Sequence, residues 1–198
     1  MQDRQTFRRY LTPAEERQLL NTVGQFKDLR AQRDHAWLRL LRQTGIRVGG
    51  LARLTVDDAR RALRERELYV RGKGGRHYRV ATNRKARQAL QDLLRIRKEL
   101  GHPERPDDAL VMSRKGRGLS VRSYQDRLKH WREVAGLQEA VSPHWLRHTL
   151  AKRLIKQSTA EQPLLIVQRA LGHTALTSTA IYTQPDKEDM AQAMEEAS

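Results

Sequence analysis

The stretch Gly72-Lys73-Gly74-Gly75 constrains this chain more than any other, because a short β-leaning run stands on each side of it, over residues 67–71 and 76–80. Two extended segments joined by a glycine-rich link read as a hairpin, since glycine reaches the backbone conformations that tight reversals require. The remaining patterned segments have a helical period. Leu11-Thr12-Pro13-Ala14-Glu15-Glu16 reads as a helix start, with Thr12 as N-cap and Pro13 at the first helical position. Residues 34–43 carry a thick apolar stripe (Trp37, Leu38, Leu40, Leu41) and close on Thr44-Gly45. A short helix opens at Arg47 toward Leu54, and a long one spans residues 83–100. After a loop at 101–108, helices are expected at 120–135 (ended by Gly136), at 144–156 behind Ser142-Pro143, at 163–171 (stopped by Gly172) and at 176–182. The expected fold is mainly α with one small antiparallel β-sheet, an α+β arrangement.

Composition narrows the function. The longest apolar run, residues 164–167, falls far short of the roughly 20 residues of a membrane crossing. The first ten residues are polar and basic, with no apolar signal-peptide core. The sequence has no cysteine, which excludes a disulfide scaffold and a thiolate zinc site and fits a cytoplasmic location. Its 198 residues set the expectation of one domain over residues 1–185 followed by a tail at 186–198.

The net charge is +16, and 30 of the 39 basic residues are arginine. The guanidinium fork matches phosphate oxygens, so this bias points to a nucleic-acid backbone. A genome rich in arginine codons and a merely soluble surface would account for the same bias. The distribution favours a nucleic-acid partner: the tail has five carboxylates against one lysine, leaving residues 1–185 at +20. An acidic tail beside a basic body also suits docking on a neighbouring copy.

Three local motifs carry chemistry. Ser142-Pro143-His144-Trp145-Leu146-Arg147-His148 places His144, Arg147 and His148 at i, i+3 and i+4, on one face near a helix N-terminus that itself favours an anion. Trp145 stands where a metalloprotease H-E-x-x-H pair needs glutamate. A core histidine beside a surface arginine is the plainer account of that segment. Gly72-Lys73-Gly74-Gly75 fits neither a Walker A loop nor G-x-G-x-x-G, which leaves a lysine at a hairpin tip flanked by Arg71, Arg76 and Arg79. His173 lies just past a helix end, nine residues before Tyr182, whose neighbours Thr179, Thr183 and Gln184 do not suit a core position.

Together, Thr44-Gly45-Ile46-Arg47, Gly72-Lys73-Gly74-Gly75, His144-x-x-Arg147-His148, Leu171-Gly172-His173 and Tyr182 resemble, in order, the catalytic domain of the tyrosine recombinases (phage integrase family), over about residues 11–183. The resemblance implies the DNA breaking-rejoining catalytic-domain fold and a site-specific DNA recombinase of the integrase or invertase type. By it, Arg47 and Arg147 clamp a scissile phosphate, Lys73 protonates the departing 5′-oxygen, His144 assists proton transfer, His173 hydrogen-bonds the phosphate and Tyr182 is the nucleophile. It further implies a 3′-phosphotyrosyl intermediate, no metal and no nucleotide cofactor. The implied partners are double-stranded DNA in the nucleoid, a tetramer of this chain on synapsed sites and, for so short a chain, an accessory DNA-bending protein.

Such chemistry is sound for these residue types. Negative charge accumulates on the equatorial oxygens of a phosphodiester transition state, and fixed guanidinium and imidazole donors stabilise it. A covalent tyrosyl ester keeps the bond energy for rejoining.

Two departures stand out. Many family members have an acidic residue three positions after the first arginine, where this chain has Gly50. They usually also carry a separate N-terminal DNA-binding domain, whereas the match here begins at about Leu11, a layout similar to the minimal fimbrial invertases. A cleavage-deficient DNA-binding regulator and a type IB topoisomerase-like relaxing enzyme are the alternative readings.

Overall fold

The computed structural model describes residues 10–72, 75, 77–138, 140–171 and 194–195. Among these, helices α1 (Pro13–Gln25), α2 (Leu29–Thr44), α3 (Val48–Leu51) and α4 (Val56–Glu65) precede strands β1 (Glu67–Arg71) and β2 (His77–Ala81). Helices α5 (Arg84–Glu99), α6 (Val121–Val134), α7 (Pro143–Gln157) and α8 (Pro163–Leu171) follow. The strands pair antiparallel, with Glu67 opposite Ala81 and Arg71 opposite His77, as the sequence leads one to expect.

Local chemistry sets the helix boundaries. Thr12 and Glu15 form a reciprocal capping box at the start of α1, with Pro13 in the first turn. Asp28, Asn83 and Ser120 cap α2, α5 and α6 by accepting a backbone N–H three residues on. Helix α2 begins at Leu29, earlier than its apolar stripe announces, because Asp28 caps it ahead of a polar first turn. Helix α4 was not expected from the apolar pattern, yet Thr55 and Asp58 form a second capping box that starts it.

Helix α2 is the axis of the core. Trp37, Leu38, Leu40 and Leu41 are all buried, so apolar surface faces several directions and neighbours pack around the helix. Asp34, fully buried, fastens it to α6. Its carboxylate accepts from Arg33 and Trp37 on its own helix and from Arg127 and Trp131 on α6. Glu16 of α1 plays the matching part elsewhere, pairing with Arg42 of α2 (2.8 Å) and Arg153 of α7 (3.2 Å). A smaller apolar cluster of Leu150, Ala151, Val167 and Leu171 seats α8 on α7. The expected helix at 176–182 lies outside the described residues. Among the described residues, no helix is long and apolar enough to cross a membrane.

Candidate active site

The site begins where α2 ends. Gly45 takes the left-handed conformation (φ 60°, ψ 16°) and its N–H donates to the Leu41 carbonyl at 2.8 Å. A Cβ here would stand 2.6 Å from Leu171 Cδ2 and 2.9 Å from Leu150 Cδ2, so both the backbone and the neighbours demand glycine. Buried Ile46 then anchors the turn, and Arg47 emerges exposed as the N-cap residue of α3.

Helix α7 delivers the second group. His144 is exposed in its first turn, and Arg147 follows one turn later on the same face. Arg147 is only 1% exposed, which rules out the surface-arginine account of this motif. Its Nη1 donates to the Gly45 carbonyl at 2.6 Å and its Nη2 to the Leu171 carbonyl at 2.8 Å. Two backbone carbonyls, one at the C-cap of α2 and one on the last residue of α8, therefore hold one guanidinium in a fixed plane. His144 packs edge-on against His148, with ring centroids 4.4 Å apart and planes at 75°.

Arg47, His144 and Arg147 converge on one cavity of about 400 Å³. Helix α3, the base of the hairpin (Arg71, Gly72, Tyr78), Gln125 of α6 and the first residues of α7 complete its wall. Among the described residues, no acidic side chain lines it. The N-terminus of α7 opens onto the same space through Ser142 and Pro143, adding the positive end of a helix dipole. Such a lining favours an anion.

Gly50 now has a structural reason. A Cβ on it would stand 2.6 Å from Val70 Cγ1, because α3 presses on β1 at this point. No carboxylate side chain fits there without moving the strand. The ring of His148 rests against His144 instead.

Of the six residues singled out in the sequence, the structure gathers Arg47, His144 and Arg147. Lys73, His173 and Tyr182 lie outside the described residues, although Gly72, directly before Lys73, lines the cavity and Leu171 bonds to Arg147. Sequence reasoning missed Arg53, Tyr78 and Gln125 as wall residues, since each comes from an element whose packing decides where it points. Tyr124, by contrast, is fully buried against Trp37, and burial pushes its phenol pKa far up, so it offers no nucleophile.

The mainly helical scaffold with its two-stranded antiparallel sheet is the fold of tyrosine recombinase catalytic domains. The phage integrase family model matches residues 9–189, and the chain belongs to that family. It is 38% identical over 181 residues to the tyrosine recombinase XerC of Proteus mirabilis, covering 91% of this chain and 56% of that protein. Against XerC of Chromohalobacter salexigens the identity is 37%, over 84% of this chain and 53% of the relative. The chain thus spans about half the length of these curated relatives. Among solved structures, XerA recombinase superposes with a TM-score of 0.77 at 25% identity, over 95% of this chain and 64% of that one. XerH site-specific recombinase, in a post-cleavage complex with palindromic difH substrate, shares the fold with a TM-score of 0.73 at 24% identity, over 93% of this chain and 52% of that one.

Proposed function

We propose that this chain is the catalytic part of a site-specific DNA recombinase that cuts and rejoins duplex DNA through a 3′-phosphotyrosyl intermediate. One observation carries the reading: an arginine at the start of α3 meets a histidine and an arginine of α7 in a cavity that has no acidic lining among the described residues. Arg47 and Arg147 hold the non-bridging oxygens of the scissile phosphate. The fixed plane of Arg147 means that little reorganisation is needed as charge builds in the transition state. Tyr182 attacks phosphorus, its phenolic oxygen forms the new ester bond, and the 5′-oxygen leaves. Lys73 supplies that oxygen with a proton, His144 assists proton transfer, and His173 donates to the phosphate. The reverse attack by a 5′-hydroxyl releases the tyrosine, so the energy of one bond serves both steps.

Exchange between two duplexes breaks four strands, one per nucleophile, so four copies act on a synapsed pair of sites. The basic body over residues 1–185 binds the DNA, and the acidic residues 186–198 bridge to a neighbouring copy. An accessory DNA-bending protein compensates for the modest surface that one such domain offers a duplex. The protein works in the cytoplasm, on nucleoid DNA.

The test is a nicked duplex in which cleavage beside the nick lets a short fragment diffuse away. The wild-type protein becomes covalently joined to DNA, and Tyr182→Phe does not. A wild-type chain that never forms the adduct, or a Tyr182→Phe chain that does, removes the reading.

A further inference from the structure

The cavity holds more positive charge than a single phosphate needs. Besides Arg47 and Arg147, Arg53 and Arg71 border the same space. Arg53 lies just past the end of α3 and reaches across to the hairpin. There its Nη2 and Nε donate to the Arg71 carbonyl at 2.7 and 3.2 Å. Two bonds to one oxygen fix the plane of the fork. Its Nη1 stays over Gly49, whose Cβ, if it had one, would lie 3.7 Å away.

Charge balance singles this residue out. Arg60 and Arg61, on the following helix, pair with Glu104 and Asp57. Arg53 has no acidic partner among the described residues, and the oxygen that orients it is a neutral carbonyl. It is held in place and exposed, with its full charge directed at the wall of an anion cavity. Successive phosphates on one DNA strand rise only about 3.4 Å each, so a strand placing one phosphate on Arg47 and Arg147 brings its neighbours to the rim.

We infer that Arg53 binds a second, non-scissile phosphate of the same strand, next to the one being cut. The inference rests on the proposed function, because it takes the ligand to be a DNA strand. Its chemistry is a charge-assisted, fork-shaped contact to phosphate oxygens.

Two measurements test it. The first is affinity for a fixed duplex oligonucleotide as a function of salt. Arg53→Ala binds about tenfold more weakly at low salt, and its log–log salt slope is shallower by about 0.9, the loss of one phosphate contact. Arg53→Lys keeps the charge but not the fork, and retains most of the slope. The second uses the nicked duplex that traps the adduct, with one methylphosphonate at a linkage beside the scissile phosphate. This neutral linkage weakens wild-type binding about as much as Arg53→Ala does, and the two changes together cost no more than either alone. An unchanged slope in Arg53→Ala overturns the inference. So does an Arg53→Lys protein that loses as much as the alanine variant, which would make Arg53 a strut for the hairpin. Fully multiplicative effects of Arg53→Ala and the methylphosphonate overturn it too. If the wild-type chain forms no adduct, the recombinase reading itself falls and takes this one with it; if the adduct forms and only the Arg53 results fail, that reading stands.

Discussion

Arg147 donates to the carbonyl of Leu171 at 2.8 Å, so a guanidinium of the candidate site also fastens the last residue of α8. The other arm of the same group fastens the end of α2 at Gly45. Removing it does more than remove the phosphate contact proposed for it. Arg147→Ala leaves two carbonyls without their donor in the interior, at about 1–3 kcal/mol each. The expected result is a loss of about 2–6 kcal/mol in urea denaturation together with loss of cleavage. Arg147→Lys keeps the charge but lacks a fork to span two carbonyls, so it too is destabilised and cleaves poorly. A fully stable Arg147→Ala protein would contradict this double role.

Gly50 sits where Val70 leaves no room. Gly50→Ala puts a methyl 2.6 Å from Val70 Cγ1 and is expected to cost about 1–3 kcal/mol, read as a lower denaturation midpoint. Val70→Ala on its own opens a void in the packing of β1. Combined, the two changes fill one space from the other side, so their joint cost is smaller than the sum of the single costs. Strict additivity would show that α3 and β1 are not in contact here.

Much of the fold could be read from end signals. Thr12-Pro13, Gly45, Asn83, Ser120 with Gly136, and Ser142-Pro143 each mark a boundary by a local rule that tertiary structure did not override. Helix α4 escaped because its buried residues are mostly small, Val56, Ala59 and Ala62 among them, and make a faint stripe. The Thr55–Asp58 pair was the signal available. For the site, motif order was legible and burial was not. Arg147 reads as a surface residue because its partners, Gly45 and Leu171, are 102 and 24 positions away and offer only backbone oxygens. Arg53 is similar, since its partner is a carbonyl 18 residues along. No side-chain pattern encodes such contacts.

Stability should depend on pH below neutrality. Burial, then the nearby Arg39, lowers the pKa of His35, with Asp92 opposing more weakly. His102 is lowered by burial and by Arg97 and Arg33. Both therefore stay neutral in the folded chain at a pH where the unfolded chain, with histidine pKa near about 6.5, has taken up protons. Stability from these groups is complete above that value and declines as pH falls toward the lowered folded pKa. Thermal midpoints are expected to drop between pH 7 and 5. In a His35→Gln, His102→Gln double variant the drop should be smaller. An equal drop in the double variant would assign the dependence to other groups.

The last prediction concerns residues 186–198. In the proposed assembly, four copies of a body carrying +20 would repel one another even after DNA phosphates screen part of the charge. A tail with five carboxylates and one lysine offsets some of that repulsion if each copy lays it on the next. On the proposed mechanism, cutting one strand draws on the catalytic residues of one copy, whereas exchanging strands needs neighbouring copies held together. A chain ending at residue 185 is therefore expected to form the covalent adduct on a nicked single-site duplex and to fail to exchange strands between two sites. Replacing the five carboxylates by their amides should give the same split, because charge is the quantity at stake. Higher salt should weaken wild-type exchange before it weakens single-site cleavage in a DNA excess titrated to saturation. A truncated chain that still joins strands from two sites would show that the copies meet through other surfaces.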